Sequence, residues 1–164
     1  MSELRLREAA RAIVVDPDER ILLVRFEFPK RVAEGRRVVW ATPGGGVDAG
    51  ESYEEAIRRE LAEEAGFEDA DLGPVVWTRT HVFELGIDWD GQRERYVLVR
   101  SPRFEPMPQL TWEQLSSEFV TEVRWWTLDE LETADASFAP RRLPSLLRQL
   151  LEEGPPSGPV DVGV

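Results

Sequence analysis

The segment Gly45-Gly46-Val47-Asp48-Ala49-Gly50-Glu51-Ser52-Tyr53-Glu54-Glu55-Ala56-Ile57-Arg58-Arg59-Glu60-Leu61-Ala62-Glu63-Glu64-Ala65-Gly66-Phe67 passes from a glycine-rich turn into a helix loaded with carboxylates. Ser52 followed three residues on by Glu55 is a capping box, and Gly66 is a suitable C-terminal stop, so the pattern predicts a helix over Ser52 to Ala65. On that helix Glu60, Glu63 and Glu64 stand at i, i+3 and i+4, within an arc of roughly 100° on one face. Like charges so close repel, and the repulsion grows with burial, which calls for a compensating cation. A hard divalent ion with oxygen ligands suits that need, and Mg²⁺ in particular binds through a few carboxylates while keeping waters and phosphate oxygens in its shell. The plainer reading is a solvated acidic face answered by Arg58 and Arg59. Tyr53, Ile57 and Leu61 form an i, i+4, i+8 stripe that reads as core packing.

Working outward, Val38-Val39-Trp40-Ala41 reads as a strand feeding a loop shaped by Pro43-Gly44-Gly45-Gly46. Two apolar runs, Ala9 to Val15 and Ile21 to Phe26, flank the polar turn cluster Asp16 to Arg20 and predict a hairpin. Downstream, Val75 to Leu85 and Arg95 to Phe104 predict a second hairpin joined by Gly86 to Glu94, which contains Asp90-Gly91. Val120 to Thr127 reads as a further strand. Thr127 and Glu130 form another capping box for a short helix, and the leucines at 143, 146, 147, 150 and 151 predict a helix over Leu143 to Glu153. The segment from Gly154 is rich in proline and glycine and is expected to be a disordered tail, leaving one domain over residues 1–153 and a tail over 154–164.

Composition narrows the function classes. The chain has 164 residues, 20 Lys+Arg against 32 Asp+Glu, a net charge of −12 and no cysteine. A domain of this size needs no staple. The absence of cysteine excludes a zinc ribbon, an iron–sulfur cluster and a thiol nucleophile. The acidic balance argues against binding duplex nucleic acid or an anionic membrane, because the long-range term is repulsive. No apolar run reaches the roughly 18 residues of a membrane span, and Met1 to Arg11 carries no apolar signal core, so a cytoplasmic location is expected.

The spacing Gly45, five residues, Glu51, seven residues, then Arg59-Glu60-Leu61-Ala62-Glu63-Glu64-Ala65-Gly66-Phe67 resembles the signature of the Nudix (MutT-like) hydrolases, G-x5-E-x7-R-E-U-x-E-E-x-G-U with U bulky and apolar. Every specified position matches, a coincidence on the order of once in 10⁶ sequences by residue frequencies. The resemblance implies a Nudix-type α/β/α sandwich, a member of the α/β (α+β) class with a mixed β-sheet between helices. It also implies a metal-dependent pyrophosphatase that hydrolyses a nucleoside diphosphate linked to another group X, using Mg²⁺ or Mn²⁺. Carried onto this chain, it makes Glu60, Glu63, Glu64 and the carbonyl of Gly44 the metal ligands, and gives Gly45, Glu51, Arg59 and Gly66 structural roles. An ordinary i,i+4 pair with Glu55 or Glu63 is an equal alternative for Arg59.

The general base is left open between Glu60 and a late loop carboxylate. Glu118 is the first choice among the latter and Glu113 and Glu122 the poorer ones. Trp77, Arg79, His81 and Phe83 alternate onto one strand face that could stack a base and bind phosphate, or simply pack. Lys30, Arg31, Arg36 and Arg37 could meet phosphates or form a solvated basic loop. The residues Val82 to Leu85 carry neither the proline expected of an ADP-ribose enzyme nor the tyrosine expected for diadenosine polyphosphates. The expected partner is therefore a small nucleoside diphosphate derivative of open identity, with a monomer and a homodimer equally allowed. The competing reading is a non-catalytic Nudix-fold sensor or binding module, which would typically lose helix carboxylates that are all present here.

Overall fold

The computed structural model describes residues 3–30, 35–85 and 88–164, the backbone alone at 83–85. Its centre is strand β1 (Leu6–Val15), whose residues alternate between two cores. Ala10, Ala12 and Val14 face one side, while Ile13 and Val15 face the other, as a period of two demands. Strand β2 (Ile21–Glu27) returns antiparallel from Val15↔Ile21 and repeats the alternation, with Leu22 on the first side and Ile21 and Leu23 on the second. Asp16 makes the tight turn possible, because its carboxylate accepts from the backbone N–H groups of Asp18 and Arg20 at 3.0 and 2.9 Å.

Strands β3 (Val38–Ala41) and β4 (Gly44–Gly46) follow, β3 pairing with β2 and β4 with β1 at Ala9 to Arg11. Helix α1 (Tyr53–Ala65) then begins at the predicted capping box, with Ser52 accepting from the Glu55 N–H. It ends at Gly66 in the left-handed conformation, φ 68°, which glycine adopts without a Cβ penalty. Strands β5 (Asp71–Leu85) and β6 (Trp89–Arg100) form an antiparallel pair, and β6 also runs parallel to β1 along its full length. After them come α2 (Trp112–Ser117), β7 (Val120–Trp126), α3 (Leu128–Thr133), β8 (Phe138–Ala139), α4 (Leu143–Glu153) and β9 (Val160–Asp161).

The described strands form one mixed sheet ordered β8-β3-β2-β1-β6-β5-β9, with β4 on β1 and β7 on β2. Ala56, Ile57, Leu61 and Ala65 of α1 cover the face of Ala10, Ala12, Val14, Leu22, Val97 and Val99. Leu143, Leu146, Leu147 and Leu150 of α4 cover the opposite face, against Ile13, Leu23, Tyr96, Leu98 and the edge-on pair Trp40 and Trp126, 4.9 Å apart. This is the expected sandwich of a mixed, curled sheet between helices.

Three expectations are corrected. Asp90 and Gly91 lie within β6 and not in the connection, because the parallel register Leu6↔Gly91 and the bond from the Arg5 N–H to Asp90 at 2.8 Å draw them into the sheet. The remaining connection is short and includes Gly86 and Ile87, outside the described residues. Phe104 is not in a strand but stacks on Phe67 at 4.8 Å. Most consequentially, the segment after Gly154 is not a free tail. Val160 and Asp161 add a parallel strand to β5, and Val162 is buried in the α4-side core, its N–H donating to the Thr78 carbonyl at 2.9 Å.

Candidate functional site

The glycine strand β4 crosses β1 directly beside α1, bringing the turn and the helix carboxylates together. Glu64 is 2% exposed, and its Oε1 accepts from the Gly44 N–H at 2.9 Å. Glu60, also buried, lies so close to Gly45 that a Cβ there would stand 2.6 Å from its Oε1. A side chain there would displace that carboxylate from its place. Glu63, one turn on from Glu60, is partly exposed.

Arg59 fixes this face. Its Nε and Nη2 grip the two oxygens of Glu51 at 2.8 and 2.9 Å, Nη1 reaches Glu60 at 2.9 Å and Glu63 at 3.5 Å, and Nη2 also donates to the Gly46 carbonyl at 3.1 Å. The two alternatives for this residue are thus both realised, with the forked bond to Glu51 the better formed. That fork holds the Glu51 carboxyl down to about 2. Burial, reinforced by the Glu60 charge, pushes the carboxyls of Glu64 and Glu63 up, for Glu64 well above the ordinary glutamate range. The charge of Glu118 adds to the effect on Glu64, and that of Arg11 opposes it.

Among the described residues no three acidic or histidine side chains converge closely enough to hold a cation as they stand. The physical reason is visible in the bonds above: Arg59 draws Glu60 to itself, and Glu64 is bound to the Gly44 N–H. The donor set nevertheless suits a hard divalent ion, since it consists of carboxylates and backbone carbonyls, carries more negative charge than Arg59 balances, and includes a buried carboxyl whose ionisation is costly without a cation.

Glu118 lies at the C-terminal cap of α2. Its distance from the helix is bridged by the chain itself. The N–H groups of Met107, Gln109 and Leu110 donate to the carbonyls of Ala65, Ala62 and Glu63, satisfying the end of α1, and the chain then enters α2 through a capping box at Thr111 and Gln114. That helix is legible as Thr111-x-x-Gln114, a signal the sequence reading passed over. Glu113, in the first turn of α2, and Glu122, on β7, are exposed.

Several of the other candidates are held by contacts within the fold. Trp77 is core, Arg79 forms a buried ion pair with Glu94, and burial together with the Arg79 charge lowers the pKa of His81. Of the same set, the Phe83 side chain is outside the described residues. Arg36 pairs with Asp135 at 2.8 Å, Arg37 donates to the Phe28 carbonyl at 2.9 Å and Lys30 is exposed, whereas Arg31 is outside the described residues. Sequence reasoning missed the pairing of Arg11 with Glu94, at 2.6 Å. A charge inside the apolar run Ala9 to Val15 is its signal, but the turn preference of Asp90-Gly91 puts Glu94 in a loop. Burial alone would raise the Glu94 pKa; Arg11 and Arg79 together outweigh it and lower it.

The fold has counterparts among solved structures. It superposes on a MutT protein from Methanosarcina mazei Go1 with a TM-score of 0.61 and 20% identity, covering 93% of this chain and 98% of that one. The NUDIX domain of Shewanella oneidensis NrtR, complexed with ADP ribose, matches with a TM-score of 0.61 and 19% identity, over 92% of this chain and 90% of that one. The family model for the NUDIX domain matches residues 5–149, and the chain belongs to that family. Among relatives, nucleoside triphosphatase NudI of Escherichia coli O139:H28 is 31% identical over 86 residues, 52% of this chain and 59% of that protein. RNA pyrophosphohydrolase of Vibrio cholerae serotype O1 is 35% identical over 71 residues, 37% of this chain and 41% of that protein. The chain therefore matches little more than half the length of the first of these relatives.

Proposed function

We propose that this chain is a divalent-metal-dependent NUDIX hydrolase that cleaves the pyrophosphate bond of a nucleoside diphosphate linked to another group. The observation that carries the reading is the buried Glu64 carboxyl, bonded to the Gly44 N–H and crowded by Glu60 on the same helix face. Such a carboxyl has a use for a cation. Glu60, Glu63, Glu64 and the Gly44 carbonyl would hold Mg²⁺ or Mn²⁺. When bound, that ion neutralises phosphate charge and makes the attacking water more acidic.

The rest of the chemistry falls to the chain. Attack of a water oxygen on phosphorus needs a group to take the proton, and a carboxylate oxygen of Glu118 or Glu60 would do so. Glu118 is favoured by its position, since its charge is felt at Glu64 while it makes no part of the Arg59 network. Arg59 and Glu51 keep the turn and the helix in register, which sets the spacing of the ligands. The names of the relatives, a nucleoside triphosphatase and an RNA pyrophosphohydrolase, and the ADP ribose bound to one structural neighbour support a phosphoanhydride substrate without selecting one. The test is a panel of nucleoside triphosphates, diphosphate sugars, dinucleotides and 5′-triphosphorylated RNA, with Mg²⁺ or Mn²⁺ and with excess EDTA. Hydrolysis of at least one compound, releasing a nucleoside monophosphate or pyrophosphate and abolished by EDTA, is expected; full activity in EDTA would overturn the reading.

A further inference from the structure

The α4-side face of the sheet carries a charged row beyond its apolar core. Arg11 of β1, Glu94 of β6 and Arg79 of β5 lie side by side, and Glu94 is 2% exposed. Arg79 and Arg11 close on the two oxygens of Glu94, Oε1 and Oε2 respectively, so the carboxylate is clamped from both sides. The other end of the Arg11 guanidinium reaches the turn that Arg59 also holds at the Gly46 carbonyl. Its Nη1 donates to the carbonyls of Thr42 at 3.3 Å and Gly44 at 3.1 Å, on the turn that carries the glycine strand. The same turn presents the Gly44 N–H to Glu64. A fork with Glu94 on one prong and backbone carbonyls on the other ties the position of the turn to a carboxylate on the neighbouring strand.

We propose that Arg11 and Glu94 are positioning residues for the divalent cation, holding the Gly44 carbonyl in place through the Arg11 guanidinium. The proposal rests on the reading of Gly44 and the α1 carboxylates as ligands. A carbonyl oxygen has two lone pairs, so the bond from Arg11 leaves one for the ion. Only arginine fits this role, because a lysine ammonium is a point charge that lacks the planar fork needed to reach both Glu94 and the two carbonyls. Groups that orient ligands in this way affect metal affinity by roughly 10–100-fold as a general rule.

The test measures Mn²⁺ binding directly, by the paramagnetic resonance signal of free Mn²⁺, in the wild-type chain and in Arg11→Lys and Glu94→Gln. Thermal melting checks that each variant is folded. The expected result is a dissociation constant raised about 10-fold or more in Arg11→Lys, with a smaller loss of kcat at saturating Mn²⁺. Unchanged Mn²⁺ affinity in a folded variant overturns the proposal. Because Glu94→Gln leaves Arg11 and Arg79 without their buried counter-charge and can unfold the chain, the unmodified protein supplies a second measurement. The side-chain Nε–H resonance of Arg11 should shift on titration with Mg²⁺, and an unmoved resonance at saturation overturns the proposal even if neither variant folds. A wild-type chain that binds no Mn²⁺ defeats the metal-site reading itself; a wild-type chain that binds it as well as its variants do defeats only the role of Arg11 and Glu94.

Discussion

At the scale of single residues, Glu64 is costly to keep ionised and is retained inside the protein. Burial and the neighbouring Glu60 charge both disfavour its carboxylate, and one bond from the Gly44 N–H together with the charge of Arg11 opposes them. Replacing it by glutamine keeps the shape and removes the charge. Glu64→Gln should therefore cost more than about 100-fold in turnover, beyond the effect of losing a group that merely orients a ligand, while the melting temperature stays the same or rises. A Glu64→Gln protein with wild-type kcat at saturating Mg²⁺ would show that this carboxyl is not a ligand. Glu118 supports a different measurement. As the base, its change to glutamine should lower kcat by roughly 10²–10⁴-fold at an unaltered metal requirement. As a ligand, it should instead raise the metal concentration for half activity. Wild-type rate and metal dependence together would transfer the role of base to Glu60.

At the scale of elements, the turn over 42–51 and helix α1 act as one unit because Glu51 and Arg59 bind across them with two bonds at 2.8 and 2.9 Å. The Glu51 carboxyl sits at about 2 in the folded chain, below its ordinary value near 4.5. A lowered carboxylate contributes stability that is present above the unfolded value and is lost as pH falls through the folded one. Glu51→Gln should thus destabilise the protein at pH 7 by about 1–2 kcal/mol, allowing for partial exposure of the pair. Urea titrations should show that difference narrowing from pH 4.5 downward and nearly vanishing below pH 2; a gap that stays constant from pH 7 to pH 2 would mean the ion pair contributes nothing. Much of this unit is legible in the sequence, since capping box, carboxylate spacing and glycine stop are all local signals between Ser52 and Gly66. The ion pair of Arg11 with Glu94 is not, because it joins strands 83 residues apart, and no local pattern marks a partner at that separation. Asp90-Gly91 misleads for the opposite reason: its local turn preference is strong, and the parallel register with β1 overrides it.

At the scale of the whole molecule, the C-terminal segment shows how composition can mislead. Gly154-Pro155-Pro156-Ser157-Gly158-Pro159 offers no periodicity, and composition alone extends the expectation of disorder to the residues after it. Yet those residues alternate as Val160, Val162 and Val164, a strand pattern of period two, and the proline-rich stretch serves as a connector from α4 back to the outer edge of β5. There Val160 and Asp161 pair with Trp77 and Thr78, Val162 enters the core beside Trp77, and the main-chain oxygen of Val164 accepts from the Arg141 N–H at 3.0 Å. Ending the chain after Glu153 therefore removes a buried valine, worth about 1.5–3 kcal/mol by area, and uncovers part of Trp77. For a domain of this size each kcal/mol is worth about 2–4 °C, so calorimetry should record a fall of roughly 3–12 °C. The loss should extend beyond stability, because the stretch of the β5 edge at Trp77 and Thr78 that Val160 and Asp161 cover is then unpaired, and an unpaired edge recruits other strands. The shortened protein should accordingly show concentration-dependent association in sedimentation velocity runs. Val162→Asp separates the two effects: it keeps the backbone that covers the edge while burying a charge in the core, and should lower the melting temperature without inducing association. A truncated chain that melts within a degree of the full one and sediments with the same behaviour would restore the view that the segment is dispensable.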